Sequence, residues 1–186
     1  QHFNFKSISK NVFVFKCMSC GIVYNPDAIK RVKIFKTKIY SESHQTDQLF
    51  YVDEFQGRVS RSFLQAKIIK DKIINNENIR ILDIGCFDGK LLTELNKIFN
   101  NSEFIGFDIN ENFKSIISDK KNFHFETNNL NNIEGEFDLI ILSHSIYYFP
   151  NLKKLMFSVG KLLKEGGYIF IQLADIRKNL IYSLMG

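Results

Sequence analysis

From Ile79 onward the chain repeats one arrangement, a short apolar run followed by an amphipathic stretch, and this alternation limits the folds open to it. Strand-like runs occupy Ile79–Ile84, Glu103–Asp108, Asn122–Glu126, Phe137–Ser143 and Gly167–Leu173, and helical stretches fill Gly89–Phe99, Glu111–Ser118 and Asn151–Lys164. Short strands that are apolar throughout are covered on both faces, and strands joined through helices run parallel. The expected fold class is α/β, a three-layer αβα sandwich built on a mostly parallel sheet. A chain of 186 residues with 45% apolar content can bury one large core, but not two full domains and a linker.

The first part of the chain follows other rules. Val12–Phe15 and Ile22–Tyr24 flank Cys17-Met-Ser-Cys20-Gly21, which predicts a hairpin with a cysteine knuckle at its tip. Asn25-Pro26-Asp27 predicts a turn and a helix start, with Ile29, Val32, Phe35 and Ile39 at helical spacing. A polar connector is expected from Ser41 to Gln56. An amphipathic helix is expected from Arg58 to Asn76, on a stripe of Val59, Phe63, Ala66, Ile69 and Ile73. These patterns divide the chain into 1–56, a hairpin and connector, and 57–186, the α/β core. One further helix is expected at Ile176–Met185, with no antiparallel edge strands after the fifth strand. The chain opens on Gln1 rather than Met, as a processed or excised chain would.

Charge and cysteine usage narrow the setting. Lys6, Lys10, Lys16, Lys30, Arg31, Lys33, Lys36 and Lys38 face only Asp27 within the first forty residues. Such a block can meet nucleic acid, or can be the solvated face of a Lys-rich protein. Three cysteines make no disulfide framework. No apolar run approaches the roughly 20 residues that cross a bilayer, and no secretory segment opens the chain. The expectation is a cytoplasmic protein without membrane contact.

The most informative segment is Ile81-Leu-Asp83-Ile-Gly85-Cys86-Phe87-Asp88-Gly89-Lys-Leu-Leu92, a strand that turns through glycines into a helix. In open α/β sheets ligands bind beyond the carboxyl ends of the strands, where strand order reverses. Gly85 and Gly89 can adopt conformations closed to other residues, and helix N-terminal amides add donors. Asp83 can either accept backbone N–H bonds within the loop or face a cationic ligand group. The next strand ends on Asp108, which can accept two ribose hydroxyls or cap the helix near Glu111.

These segments resemble the class I S-adenosylmethionine-dependent methyltransferases, with their Rossmann-like fold. Asp83, Gly85 and Gly89 stand in register with the family's Asp-x-Gly-x-Gly-x-Gly, and Phe87 departs from it at the middle glycine. Phe137-Asp-Leu-Ile-Ile-Leu-Ser143-His144 resembles the family's Phe-Asp-Leu-x-x-x-x-His. Lys161-Leu-Leu-Lys-Glu-Gly-Gly-Tyr-Ile-Phe-Ile171 matches the helix, Gly-Gly turn and fifth strand that follow, so the likeness runs over 58–173. It implies S-adenosylmethionine as cofactor. The implied site comprises Asp83, Gly85, Cys86, Phe87, Gly89, Asp108 on the ribose, Ile109, Asn129 (or Asn128) on the adenine amino group, Leu130, and Ser143 near the methionine portion. NAD or FAD fits less well, because the dinucleotide loop needs Gly where Phe87 stands and Gly or Ala where Lys90 stands.

Methyl transfer from a sulfonium needs a positioned acceptor and, for some acceptors, a base. His144 and Tyr148, with Tyr147, are the candidate catalytic residues, and a packing or hydrogen-bonding role beside the cofactor is equally open to His144. Cys86 is read as a packing residue rather than a nucleophile. No Asn/Asp-Pro-Pro-aromatic run and no Pro-Cys pair occurs, which speaks against base amino-group and pyrimidine carbon-5 methylation. Cys17 and Cys20 make half of a four-ligand zinc site, and His2 and His44 are poorly spaced to complete it. The segment resembles a zinc-ribbon module found ahead of some sugar and natural-product methyltransferases, where an earlier Cys pair completes the site. The reading is a methyltransferase for a small-molecule or glycan-type acceptor, held by the N-terminal segment with Tyr40, Tyr51 and Arg58. The alternatives are an RNA methyltransferase using the basic block, a catalytically degenerate cofactor-binding scaffold, and a nucleotide-dependent oxidoreductase.

Overall fold

The computed structural model describes residues 2–6, 11–16, 23–24, 50–53, 57–72, 78–117 and 121–173. The cysteine knuckle at Cys17 and Cys20, the helix expected from Pro26, Tyr40, and everything expected after residue 173 lie outside these residues. Strand β2 (Asn11–Lys16) pairs antiparallel with β3 (Val23–Tyr24), as the sequence suggests, and also with β1 (His2–Lys6), which it did not. A second antiparallel pair joins β4 (Phe50–Asp53) to β5 (Gly57–Ser60) through Tyr51↔Val59 and Val52↔Arg58.

This second pair corrects the expected helix start. Helix α1 runs Arg61–Lys72, and Val59 lies on β5 ahead of it. The Ser60 hydroxyl accepts from the Phe63 N–H at 3.2 Å, the bond of an N-cap, so Ser60 fixes where the helix begins. A spacing of three and four cannot separate one more half-turn from a strand residue that happens to be buried. The residues α1 buries are Ser62, Gln65, Ala66 and Ile69, a stripe half polar rather than wholly apolar.

The remaining elements follow the expected alternation: β6 (Arg80–Ile84), α2 (Lys90–Ile98), β7 (Glu103–Phe107), α3 (Lys114–Ile117), β8 (Phe123–Glu126), β9 (Phe137–Ser143), α4 (Leu152–Leu162) and β10 (Leu163–Gln172). The helix expected at Glu111–Ser118 opens instead as a 3-10 turn, Glu111–Phe113, because the Asn110 side chain accepts the Asn112 N–H at 3.1 Å and caps it there. The five strands form one parallel sheet in the order β10-β9-β6-β7-β8. Each strand presents alternate residues to opposite faces. Ile81, Phe104, Leu139 and Ile141 meet Ala66 and Ile69 of α1, Leu91, Leu92 and Leu95 of α2, and Phe113 and Ile117. Leu82, Ile84, Ile105, Phe107, Ile140 and Leu142 meet Leu155, Val159 and Leu162 of α4 on the other face. The layering is the three-layer sandwich read from the sequence. Ile81, Leu82, Ile84, Leu139, Ile140 and Ile141 are fully buried, each stabilising by about 2 kcal/mol.

The strand order decides where a ligand can go. From β6 the chain steps outward to β7 and β8, then returns across β6 to β9 and β10. The loops after β6 and β9 therefore leave the sheet toward opposite faces and open a crevice at their carboxyl ends.

Candidate functional site

The loop after β6 is tied down by its own main chain. The N–H groups of Gly85 and Cys86 both donate to the Phe107 carbonyl, at 2.7 and 3.1 Å, and the Gly89 N–H donates to the Cys86 carbonyl at 3.0 Å. The Lys90 N–H at the start of α2 donates to the Asp88 carboxylate at 3.3 Å. Of the helix N-terminal amides that the sequence offered as ligand donors, that of Lys90 is thus engaged within the loop. Gly85 has φ +82° and Gly89 φ +70°. A Cβ on Gly85 would lie 2.5 Å from the Ser145 Cβ, so the loops after β6 and β9 meet only because that residue is glycine.

Phe87 is the residue that departs from the resembled glycine motif. Its ring packs on Phe113, with centroids 4.4 Å apart, at the edge of the first core cluster. Its N–H donates to Asp108 Oδ2 at 3.1 Å, and the Asn110 N–H donates to Asp108 Oδ1 at 2.9 Å. Asp108 therefore joins the glycine loop to the end of β7, and Asn110 rather than Asp108 caps the turn at Glu111. Burial raises the Asp108 pKa, and the N–H donors of Asn110, Phe87 and Ile109 pull it back. With three N–H donors on about four acceptor positions, the carboxylate keeps room for one further donor.

Asp83 is fully buried near the end of β6, and its Oδ1 accepts no hydrogen bond. The loop is held by the Phe107 carbonyl instead. Burial, followed by the nearby Asp108 and Asp88, pushes the Asp83 pKa up to about 7. The Cys86 thiol is buried, and burial raises its pKa well above the ordinary thiol value. A Cβ on Gly106 would meet the Cys86 sulfur at 2.8 Å, which marks Cys86 as a packing residue under the loop.

The other strand ends complete the crevice. Thr127 Oγ1 after β8, and His144 Nε2 and Ser145 Oγ after β9, are buried without a hydrogen-bond partner. Asn128 lies beside Thr127 with φ +68° and donates to Glu111 at 3.4 Å. Asn129 accepts the Asn131 N–H at 3.0 Å and caps the turn Leu130–Asn132, so one acceptor position of its carbonyl is occupied. Leu130 packs against the second core cluster. His144 stands at φ +54°, its N–H bonded to the Gln172 carbonyl at 2.9 Å, and burial followed by Arg61 lowers its pKa. Phe87, Asn128 and His144, the non-glycine residues of positive φ among those described, each follow a sheet strand at this one end. Such backbone costs of order 1–3 kcal/mol and gathers at ligand sites. Tyr147 and Tyr148 meet edge to face at 4.5 Å, and burial with its neighbour Tyr148 raises the Tyr147 pKa.

Several residues here escaped the sequence reading. Gln65 of α1 is 3% exposed and donates to Ser143 Oγ at 2.6 Å and to the Gln172 side chain, so it locks α1 to the ends of β9 and β10. Its signal was a polar residue inside an otherwise apolar stripe. Arg61, Thr127 and Ser145 carried no comparable signal. No group of three or more potential metal ligands occurs among the described residues. None of the described helices is long and apolar enough to cross a membrane.

An open parallel α/β sheet with a carboxylate-lined crevice at its switch point defines a Rossmann-like ligand-binding protein. The chain belongs to the methyltransferase-domain family, which it matches over residues 55–181. It is 25% identical over 139 residues to the sterol 4-C-methyltransferase of Caenorhabditis elegans, covering 66% of this chain and 40% of that protein. It is 26% identical over 119 residues to the malonyl-[acyl-carrier protein] O-methyltransferase of Bacillus cereus, covering 61% of this chain and 44% of that protein. The chain thus spans less than half the length of these curated relatives. In fold it is similar to the plantazolicin methyltransferase BpumL in complex with a pentazolic desmethylPZN analog and SAH, with a TM-score of 0.63 and 17% identity over 87% of this chain and 62% of that one.

Proposed function

We propose that the chain is an S-adenosylmethionine-dependent methyltransferase acting on a small-molecule or glycan-type acceptor. The observation that carries this is the set of buried, unpartnered polar atoms, Asp83 Oδ1, Thr127 Oγ1, His144 Nε2 and Ser145 Oγ, at the carboxyl ends of β6, β8 and β9. Buried polar groups without partners are costly, so a cluster of them at the switch point of a methyltransferase-family sheet is accounted for by a polar ligand. The residues suit an adenosyl amino acid. Asp108 has an acceptor position for a ribose hydroxyl, Asp83 can offset a cationic centre, and Thr127, Asn128 and Asn129 surround the place for the base.

S-adenosylmethionine, when bound, supplies a methyl group already activated on a sulfonium sulfur. The chain's part is to exclude water and hold the acceptor in line. The lowered pKa of His144 keeps its imidazole neutral near pH 7, the form a base or hydrogen-bonding residue needs. The hairpin of β4 and β5, which carries Tyr51 and Arg58 and leads directly into α1, is suited to cover the acceptor. The acceptors named for the relatives, a sterol and a malonyl-[acyl-carrier protein], support an acceptor other than nucleic acid.

Thermal-shift titration with S-adenosylmethionine, S-adenosylhomocysteine and NAD, followed by transfer of labelled methyl to a panel of small acceptors, tests the reading. Stabilisation by the first two and not by NAD is expected. Stabilisation by NAD alone would refute it. A Tyr51→Ala variant with unchanged KM for the acceptor would remove the covering role of the hairpin.

A further inference from the structure

Helix α4 buries Leu155, Val159 and Leu162 against the sheet and turns the rest of its surface to solvent. At the centre of that outer face stands Phe157, 65% exposed. Residues three and four positions away share its side of the helix. These are Lys153, Lys154, Gly160 and Lys161, all of them exposed. The Lys161 ammonium lies over the Phe157 ring, 4.6 Å from its centroid. The helix holds no acidic residue, and none of its lysines pairs with a carboxylate among the described residues. Lys164, just beyond the helix, is by contrast bound by Asp138 at 2.8 Å.

Gly160 is the informative member of the group. Glycine is the poorest helix former after proline, and at an exposed helix position almost any other residue serves the fold better. A Cβ on Gly160 would meet nothing within 4 Å, so packing inside the chain does not ask for a bare backbone there. Together Gly160 and Phe157 give the face a notch and a knob. A second helix can cross at such a notch more closely than over a long side chain, since the distance between helix axes follows the residues at the crossing. The unpaired lysines on both sides of the notch set the sign of that helix, which is acidic. A bilayer surface suits the face less well. Interfacial helices sink a broad apolar face into the lipid, whereas that face of α4 is covered by the sheet, leaving Leu152 and Phe157 exposed.

We propose that the outer face of α4 docks an acidic amphipathic helix of a partner protein. Phe157 is the anchor, Gly160 the crossing point, and Lys153, Lys154 and Lys161 meet the partner's carboxylates. The surface lies outside the crevice and stands independently of what that crevice binds.

The probe is a stapled helical peptide of about 18 residues, with leucines along one stripe and glutamates flanking it. Its twin carries glutamine in place of every glutamate. Both are titrated against the full chain by fluorescence anisotropy. The acidic peptide should bind at least about tenfold tighter than the twin, and the gap should narrow as salt is raised. Lys153→Glu with Lys161→Glu should erase the preference, and Phe157→Ser should weaken binding about tenfold. Gly160→Leu should also weaken it about tenfold while keeping the urea midpoint at or above wild type, which separates a blocked crossing from a damaged helix. Equal affinity for the two peptides, no saturable binding of the acidic one, or wild-type binding by Gly160→Leu would each overturn the proposal. So would tighter binding of phosphatidylserine vesicles or of polyuridylate through the same residues, which would give the face to a lipid surface or to RNA.

Discussion

Asp83 links the stability of the fold to pH through a single proton. Its pKa is near 7 in the folded chain and near 3.8 when exposed, so between these values the folded state keeps a proton that the unfolded state has released. Stability contributed by this group therefore falls as pH rises from about 4 to about 7 and stays low above that. Asp83→Asn should make the ligand-free protein more stable at pH 8 by about 2–4 kcal/mol in urea unfolding, with a flatter profile between pH 4 and 7. The same variant should weaken S-adenosylmethionine binding tenfold or more by calorimetry. Gly85→Ala meets two obstacles at once, a positive φ and the Ser145 Cβ, and should cost about 2–4 kcal/mol in the same unfolding measurement. Asp83 and Gly85 were both legible from their motif as the residues that open the turn after β6. What Asp83 does there was not, because only the contact between Phe107 and the loop shows that the carboxylate is left over.

Helix α1 joins the N-terminal elements to the carboxyl-end edge of the parallel sheet. Its start depends on the Ser60 cap, and Ser60→Ala should lower stability by about 1 kcal/mol. Its docking depends on Gln65, and Gln65→Ala should cost about 2 kcal/mol by leaving the Ser143 and Gln172 side chains underbonded, seen as a lower urea midpoint. The helix itself was readable in the spacing of Ala66 and Ile69. Its first turn was misplaced, because Val59 is buried on β5 at the spacing a helix would also give it. Sheet strands fared better: Phe137–Ser143 was placed to the residue, since a run covered on both faces leaves no register to mistake.

At the scale of the whole molecule, a ligand that bridges the ends of β6, β7, β8 and β9 should act on the entire sheet rather than on one loop. S-adenosylhomocysteine at 100 times its dissociation constant should stabilise by roughly 2.7 kcal/mol, a melting-temperature rise of about 5–10 °C for a chain of this size. A shift of this size in Asp83→Asn, equal to wild type, would show that the ligand sits elsewhere.

The sequence by itself determined the parallel sheet, its two covered faces and the place of the glycine loop, because apolar periodicity and the turn chemistry of Gly85 and Gly89 are local properties. It also named both carboxylates. Only the tertiary structure decided that Asp108 fastens the loop, that Phe87 turns its ring onto Phe113, and that Arg61, His144 and Ser145 are left with dry, unpaired atoms. Hydrogen-bond satisfaction is a property of groups distant in the chain, and whether an atom finds a partner is settled only when all the elements have packed.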